Sequence, residues 1–385
     1  GMSVAERGIY LKKIAALIRK HAKELADLES VNIGKTLKQS SFIDVPTAAD
    51  CFEYFGSLET LAKDRQNPVT DLVKSLTTFE PMGVVSCIIP WNYPLIMAAW
   101  KIAPALIAGN SVVFKPSSIG CASIMRLAQL VKESGLPAGI LNVVTTTDKD
   151  AARLLVTDKN IDMVSFTGST AVGKEIAQKC GARFIKYVLE LGGSSAGIVT
   201  KEADLDLAVK AIVYGRFSNC GQDCLAIKRL FVESSIANKL TKKLTEEIKK
   251  LRIGIDIGPL VSEDQLKKFE KQVTKGVIQS GRIIAGGRRV RTEELKNGFY
   301  HEPTLMIHVH SKMEIMQEEV FGPLLPVCTV MSFNEAIKLA NDTKFGLTAV
   351  VFTKSKEKIS QAQKELQVGT VYINDTGIFY PQVPY

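Results

Sequence analysis

Gly83-Val84-Val85-Ser86-Cys87-Ile88-Ile89 is a glycine followed by a short continuous apolar run. That is the pattern of a strand covered on both faces. Working outward, helical spacing over 94–108 leads to a strand at Ser111–Phe114, a helix over 121–134 and a strand at Leu141–Val144. A helix over 149–156, a strand at Met163–Phe166 and a helix over 171–179 come next. Strands alternating with helices of this length predict βαβ units, hence an α/β fold with a parallel, doubly wound sheet. Such sheets bind ligands at the carboxyl ends of their strands. After residue 224 the alternation resumes with strands at 229–233, 304–308, 325–331, 348–353 and 369–373, and helices at 235–251, 262–278, 333–342 and 355–365. This predicts a second α/β domain, with the boundary near 217 and an irregular end from Thr376. Before the first strand, Ile9, Ile14, Leu17, Leu25 and Leu28 mark an amphipathic helix over 4–30. A second helical stretch covers 45–63, a breaker follows at Asp64–Pro68, and residues 72–79 suit an exposed hairpin or arm.

At 385 residues, with 46% hydrophobic and 23% charged residues, the chain reads as an ordinary globular protein of two domains. The net charge of +9 is spread, and no basic block is long enough for a nucleic-acid arm. The seven cysteines are scattered rather than spaced as a disulfide framework, which predicts a reducing compartment and a cytoplasmic protein. None of the four histidines pairs with Cys or Glu at metal-ligand spacing, so no metal site is expected. The first residues do not form a signal peptide. The most apolar region, Pro94–Phe114, is broken by Lys101, Pro104 and Asn110, so no membrane span is expected.

Asn219-Cys220-Gly221-Gln222-Asp223-Cys224 links a helix-like run, Ala203–Arg216, to a strand-like one, Arg229–Val232. Loops on rigid scaffolds collect chemistry. A thiol beside dipoles and backbone N–H groups ionises and attacks carbon, whereas one in apolar surroundings is inert. Both roles stay open for each cysteine. Pro90-Trp91-Asn92-Tyr93-Pro94 follows a strand, and Asn92 is either a turn residue or a side-chain N–H donor. Lys115, at the end of another strand, either meets a phosphate or ribose or simply reaches water. Phe166-Thr167-Gly168-Ser169-Thr170 brings a glycine and hydroxyls to a helix start, which suits a phosphate or an ordinary cap. No G-x-G-x-x-G fingerprint occurs. In Leu189-Glu190-Leu191-Gly192-Gly193 a carboxylate sits in an apolar strand, as a salt-bridged residue or as a base whose pKa burial raises. Glu318-Glu319-Val320-Phe321-Gly322-Pro323 alone reads as a charged turn. Gly193-Ser194-Ser195-Ala196-Gly197 matches the nucleophile elbow of serine hydrolases, but Ile198-Val199 continue as a strand where the elbow needs a helix.

Taken in order, Pro-Trp-Asn at 90–92, Phe-Thr-Gly-Ser-Thr at 166–170, Glu-Leu-Gly-Gly at 190–193, Gly-Gln-x-Cys at 221–224 and Glu-x-Phe-Gly-Pro at 319–323 resemble the aldehyde dehydrogenase superfamily. The similarity runs along the whole chain. It implies an NAD(P)-dependent, non-acylating enzyme with a dinucleotide-binding domain over 1–217, a catalytic domain over 218–375 and an oligomerisation arm at 65–80. It assigns the nucleophile to Cys224, the oxyanion donor to Asn92 and the general base to Glu190. It assigns cofactor contacts to Trp91, Lys115, Ser117, Ser118, Gly168, Ser169, Glu319 and Phe321. The aldehyde tunnel would be lined by Tyr93, Met97, Trp100, Asp223, Leu225 and Phe379. A homodimer or homotetramer is implied, with a small-molecule aldehyde as partner and neither nucleic acid nor membrane. A free carboxylate base favours hydrolysis over transfer to coenzyme A.

The chain also departs from the family pattern. Ser118 stands where many members carry a Glu that binds the adenosine ribose, which removes repulsion against a 2′-phosphate and leans the cofactor from NAD to NADP. Thr145-Thr146-Thr147 replaces a Gly-rich turn common near the adenine, and the connection at Gly254-Ile255-Asp256 is short. The chain begins after the family's N-terminal segment and ends at Tyr385, before an expected Gly-Gly-Tyr-Lys stretch. Two alternatives follow: a serine hydrolase using Ser195, and a catalytically inactive family member.

Overall fold

The computed structural model describes residues 1–58, 60–61, 64–377 and 380–383. The chain forms two compact units, residues 1–33 with 40–190 and residues 34–39 with 191–385.

In the first unit, β1 (Arg65–Asn67) and β2 (Ser75–Thr77) form an antiparallel ribbon, and Asn67 Nδ2 donates across it to Ser75 and Thr77. Val69, Leu72, Val73, Leu76 and Phe79 are exposed on this arm. The main sheet is built from β3 (Val84–Ile88), β4 (Ser111–Lys115), β5 (Leu141–Val143), β6 (Met163–Thr167) and β7 (Lys186–Glu190). All neighbours are parallel, in the order β5-β4-β3-β6-β7. The order reverses between β3 and β6, so the loops after those two strands open at the topological switch point, where such sheets bind ligands. Val85, Cys87, Val112 and Phe114 pack with Leu95, Ala99 and Ile102 of the helix Pro94–Ile107. The expected helix over 4–30 is two, Val4–Lys20 and Ala22–Ile33, the first closed at its start by a reciprocal Ser3–Glu6 capping box. Leu11, Ile14 and Ile18 face the core, whereas Ile9 is exposed. The helix expected over 45–63 is Val45–Gly56; residues 59, 62 and 63 of that expectation lie outside the described residues.

In the second unit, β8 (Ser195–Val199), β9 (Ile227–Glu233), β10 (Arg282–Ala285), β11 (Thr304–Ile307), β12 (Leu324–Val330), β13 (Thr348–Phe352) and β14 (Thr370–Ile373) make one sheet. Its order is β10-β11-β12-β9-β8-β13-β14, parallel except for the β10 edge. β8, β9 and β13 are buried along their whole length; β8 and β13 carry no charge, whereas β9 buries Lys228, Arg229 and Glu233. The units divide after Glu190 rather than near 217. The reason is pairing: β8 lies between β9 and β13, and the helix Leu205–Phe217 packs into the same core through Ala208, Val209, Ile212 and Phe217. The early segment Gly34–Gln39 belongs here too. A Cβ on Gly258 would lie 2.2 Å from the Gly34 carbonyl oxygen, and Gln39 Oε1 accepts the N–H of Asn219.

Among the described residues, no helix is long and apolar enough to cross a membrane. No group of three or more His, Cys, Asp or Glu side chains among them could hold a metal ion.

Candidate active site

The turn before Cys224 is held by its own side chains. The helix Leu205–Phe217 ends in a short 3-10 turn, Ser218–Gly221, in which Asn219, Cys220 and Gly221 all have positive φ (48°, 57° and 70°). Side-chained residues in that region are strained by about 1–3 kcal/mol each unless neighbours fix them. Here Asn219 Nδ2 donates to the Gln222 carbonyl, and Gln222 Nε2 donates back to the carbonyls of Asn219 and Pro259. Gln222 Oε1 accepts the N–H of Val261 at 2.9 Å. Gly221 is required twice over: its φ is left-handed, and a Cβ would stand 2.5 Å from the Gly322 carbonyl oxygen.

The two cysteines of this turn differ. Cys220 is 1% exposed, and burial pushes its thiol up to about 12. Cys224 is half-buried. Asp223 Oδ1 accepts the N–H of Leu225 at 2.9 Å, and Leu225 itself is buried. The phenol of Tyr372 is raised by burial and then by the charges of Asp223, Asp375 and Cys224, which places it in their electrostatic reach.

Glu319 and Phe321 gather at the same turn within the second unit. Glu319 Oε1 accepts from Gly193 N–H at 3.3 Å and from the ammonium of Lys228 at 3.0 Å. Lys228 also donates to the Cys224 carbonyl at 2.9 Å and lies 5.6 Å from the Phe321 ring centroid. The Gly192-Gly193 pair makes room for this: a Cβ on Gly192 would sit 2.3 Å from Glu319 Oε2, and one on Gly193 would sit 2.8 Å from the Cys224 carbonyl oxygen. Arg216, fully buried, donates to the carbonyls of Val320, Gly322 and Leu324 and so fastens the Glu319–Pro323 segment to the helix that leads into the turn.

In the first unit the strand ends carry the other residues. Trp91 and the buried Asn92 follow β3; Lys115 ends β4, with Ser117 and the exposed Ser118 after it; Gly168 and Ser169 follow β6. Burial pushes the Lys115 ammonium down, and its Nζ donates to the carbonyl of its neighbour Pro116. Ser117 Oγ accepts the N–H of Ile119. Ser169 caps the 14-residue helix Thr170–Arg183 through Val172 N–H. Glu190 ends β7 in register with Thr167, and its carbonyl accepts Gly168 N–H at 3.0 Å. Burial raises the Glu190 pKa, and the Lys101 ammonium partly offsets this. Tyr93, Met97 and Trp100 share one face of the helix Pro94–Ile107, where Met97 is almost wholly core. Phe379 lies outside the described residues. A helix N-terminus at the switch point of a parallel sheet, with a lysine ending the strand beside β3, is a donor set that suits a dinucleotide.

Ser195 is not on an elbow. It opens β8, is 2% exposed, and its hydroxyl shares a 2.7 Å hydrogen bond with Thr348. This removes the geometric basis for the hydrolase alternative. Three positively charged residues of these surroundings were not assigned from sequence: Lys101, Arg216 and Lys228. Lys101 hydrogen-bonds Ser165 and is pushed down to about 8 by burial. In the sequence it counted only as an interruption of an apolar run; a cation inside a strongly apolar helix was itself the available signal.

The family model described as "Aldehyde dehydrogenase family" matches residues 1–385. The chain belongs to the aldehyde dehydrogenase family. It is 40% identical to betaine aldehyde dehydrogenase of Bacillus subtilis (strain 168), over all of this chain and 80% of that protein. It is 40% identical to aminoaldehyde dehydrogenase 2, peroxisomal, of Pisum sativum, over all of this chain and 78% of that protein. Among solved structures, PnpE of Pseudomonas sp. WBC-3, in complex with nicotinamide adenine dinucleotide, superposes at a TM-score of 0.98 with 34% identity, covering all of this chain and 80% of that one. Membership of the aldehyde dehydrogenase family fits both α/β units and their parallel sheets.

Proposed function

We propose that this aldehyde dehydrogenase oxidises a small or medium aldehyde to a carboxylic acid with NAD or NADP, through a covalent intermediate on Cys224. One observation carries this: of two cysteines in one stapled turn, only Cys224 keeps exposure, while Cys220 is buried with its thiol pushed up to about 12. The first unit holds the dinucleotide and the second supplies the nucleophile. Cofactor-holding groups are Trp91, Lys115, Ser117, Ser118, Gly168 and Ser169 in the first unit, and Glu319 and Phe321 in the second.

The Cys224 thiolate forms a C–S bond to the aldehyde carbon, and the carbonyl oxygen takes the negative charge. The Asn92 amide and a backbone N–H stabilise that oxyanion. When bound, the nicotinamide cofactor supplies a hydride acceptor. Loss of hydride leaves a thioester on Cys224. Glu190, whose pKa burial raises, takes a proton from water; the hydroxide adds to the thioester, the C–S bond breaks, and the acid leaves with the thiolate restored.

The exposed Ser118 beside Lys115 supports NADP over NAD, since a 2′-phosphate there would meet hydroxyls and an ammonium. Solved relatives bound to NAD make both cofactors part of the test. Asp223 beside Cys224 disfavours anionic aldehydes and tolerates neutral hydroxylated ones, and the names of the betaine and aminoaldehyde relatives add cationic aldehydes. The exposed apolar arm supports a homodimer or homotetramer. The test is absorbance of reduced nicotinamide with NAD and NADP against a panel of cationic, neutral and anionic aldehydes. Turnover is expected with at least one cofactor; none with any pair would favour an inactive family member.

A further inference from the structure

Lys228 stands on β9 with its side chain fully buried. Taking an ammonium out of water costs several kcal/mol, so such a group persists only among acceptors that offset the loss. Its acceptors come from two parts of the second unit: the carbonyl of Cys224 at 2.9 Å, and, in the Glu319–Pro323 segment, Oε1 of Glu319 at 3.0 Å and the face of Phe321 at 5.6 Å. Gly193 N–H donates to the same Oε1. Among the described residues, both hydrogen bonds to this carboxylate fall on Oε1, and the side chain keeps 24% of its exposure. Oε2 lies against the bare Cα of Gly192, where a Cβ would stand only 2.3 Å away. The carboxylate is therefore held by one oxygen and offers the other.

We propose that Lys228 is a positioning residue that couples cofactor binding to the reactive cysteine. Its ammonium locks Glu319 so that Oε2 is preset to accept a hydroxyl of the cofactor's nicotinamide-side ribose. The same ammonium pins the main chain of Cys224. This rests on the reading of Glu319 as the ribose contact. Either half of the site, once displaced, then shifts the other through one side chain. Methionine at 228 would fill the space but leave the Glu319 carboxylate and the Cys224 carbonyl without their shared donor.

The full chain is compared with Lys228→Met, Lys228→Arg, Glu319→Gln and the Lys228→Met/Glu319→Gln double variant. Dissociation constants of NAD and NADP are measured by calorimetry, and iodoacetamide alkylation of Cys224 is followed by peptide mapping with and without cofactor. Lys228→Met is expected to weaken binding of the preferred cofactor about tenfold, the scale of one lost hydrogen bond to a charged group. It should also shrink, by a similar factor, the change that cofactor causes in the alkylation rate. Glu319→Gln should do the same, the double variant should be no worse than the larger single loss, and Lys228→Arg should restore most of the coupling. A folded Lys228→Met with unchanged affinity and unchanged alkylation response overturns the proposal, as do additive losses in the double variant. If Lys228→Met does not fold, Glu319→Gln decides: an unaltered alkylation response overturns the proposal. If the unmodified chain binds neither nucleotide, the ribose contact falls together with the activity. The cofactor-free alkylation rate of Lys228→Met against the unmodified chain then decides the cysteine half, and an equal rate overturns it.

Discussion

In the 218–224 turn, Gln222 alone bonds Asn219, Pro259 and Val261, and two buried cations tie the flanking segments to the Glu319–Pro323 loop. At the strand ends of the first unit, by contrast, Lys115 reaches only as far as its neighbour's carbonyl, and Ser118 and Ser169 are exposed. The turn fixes its geometry with protein groups alone, before any ligand arrives. On the proposed reading, Lys115, Ser118 and Ser169 at the strand ends would find further partners on a bound cofactor. A covalent nucleophile gains from the first arrangement, because a misplaced reacting atom loses rate steeply. A bound and released cofactor is served by the second.

That contrast predicts a steep hierarchy. Cys224→Ala should cut turnover to below about a thousandth while leaving cofactor affinity near its original value. Cys220→Ala, four residues earlier, should cost about 1 kcal/mol of stability and leave turnover within a few-fold. Steady-state assays and calorimetry check both, and a reversal of the two variants would break the contrast at its centre. Next comes Glu190→Gln, for which stopped-flow should still show one burst of reduced nicotinamide while the following hydrolysis slows roughly 100-fold. The base works deprotonated and its pKa is raised, so hydrolysis should fall with acid already above the ordinary carboxylate range. Lys101 lowers that pKa, so Lys101→Met should move the acid limb still higher.

Smaller effects sharpen the comparison. Gly221→Ala meets both a left-handed φ and a backbone carbonyl, and should destabilise by about 2 kcal/mol in a denaturant titration. Gly168→Ala meets only the Phe166 ring, which can shift, so its loss should be less than half as large. Equal losses would mean that the strand end is as fixed as the turn. Last, Ser118→Glu should move the NADP-to-NAD preference about tenfold toward NAD through repulsion of the 2′-phosphate. An unchanged ratio of kcat/KM would remove Ser118 from cofactor selection.

Several strands were readable because a strand covered on both faces is mostly apolar, as in Val84–Ile88 and Thr348–Phe352. Four of the five motifs carry a glycine whose added Cβ would come within 3 Å of a neighbour, namely Gly168, Gly192 and Gly193, Gly221, and Gly322, so few residues fit there. β10 escaped notice: Arg282–Ala285 is a four-residue edge strand with a register shift, too short for any period to register. The unit boundary escaped because β8 finds its neighbours only in strands formed later in the chain. Lys228 and Arg216 escaped for the same reason on the scale of side chains. Their partners lie 91 and more than 100 residues away, and no local spacing encodes such a meeting. The bond from Leu225 N–H to Asp223 spans only two residues, the local kind that a loop carboxylate makes.

Gly34–Gln39 carries a consequence for synthesis. These six residues leave the ribosome long before residues 191–385, yet they complete the second unit, where Gln39 meets Asn219, 180 positions further along the chain. The first unit can close around them as soon as Glu190 has emerged, leaving a short loop with its own contacts still unmade. Only when the segments containing Asn219 and Gly258 appear can that loop dock, so a piece made early is among the last to find its place. A fragment beginning at Leu191 would carry Cys224 and both buried cations but not the glutamine that steadies the turn from its far side. Supplying a peptide spanning 34–39 in trans is then the natural way to ask whether the late half of this enzyme can finish itself.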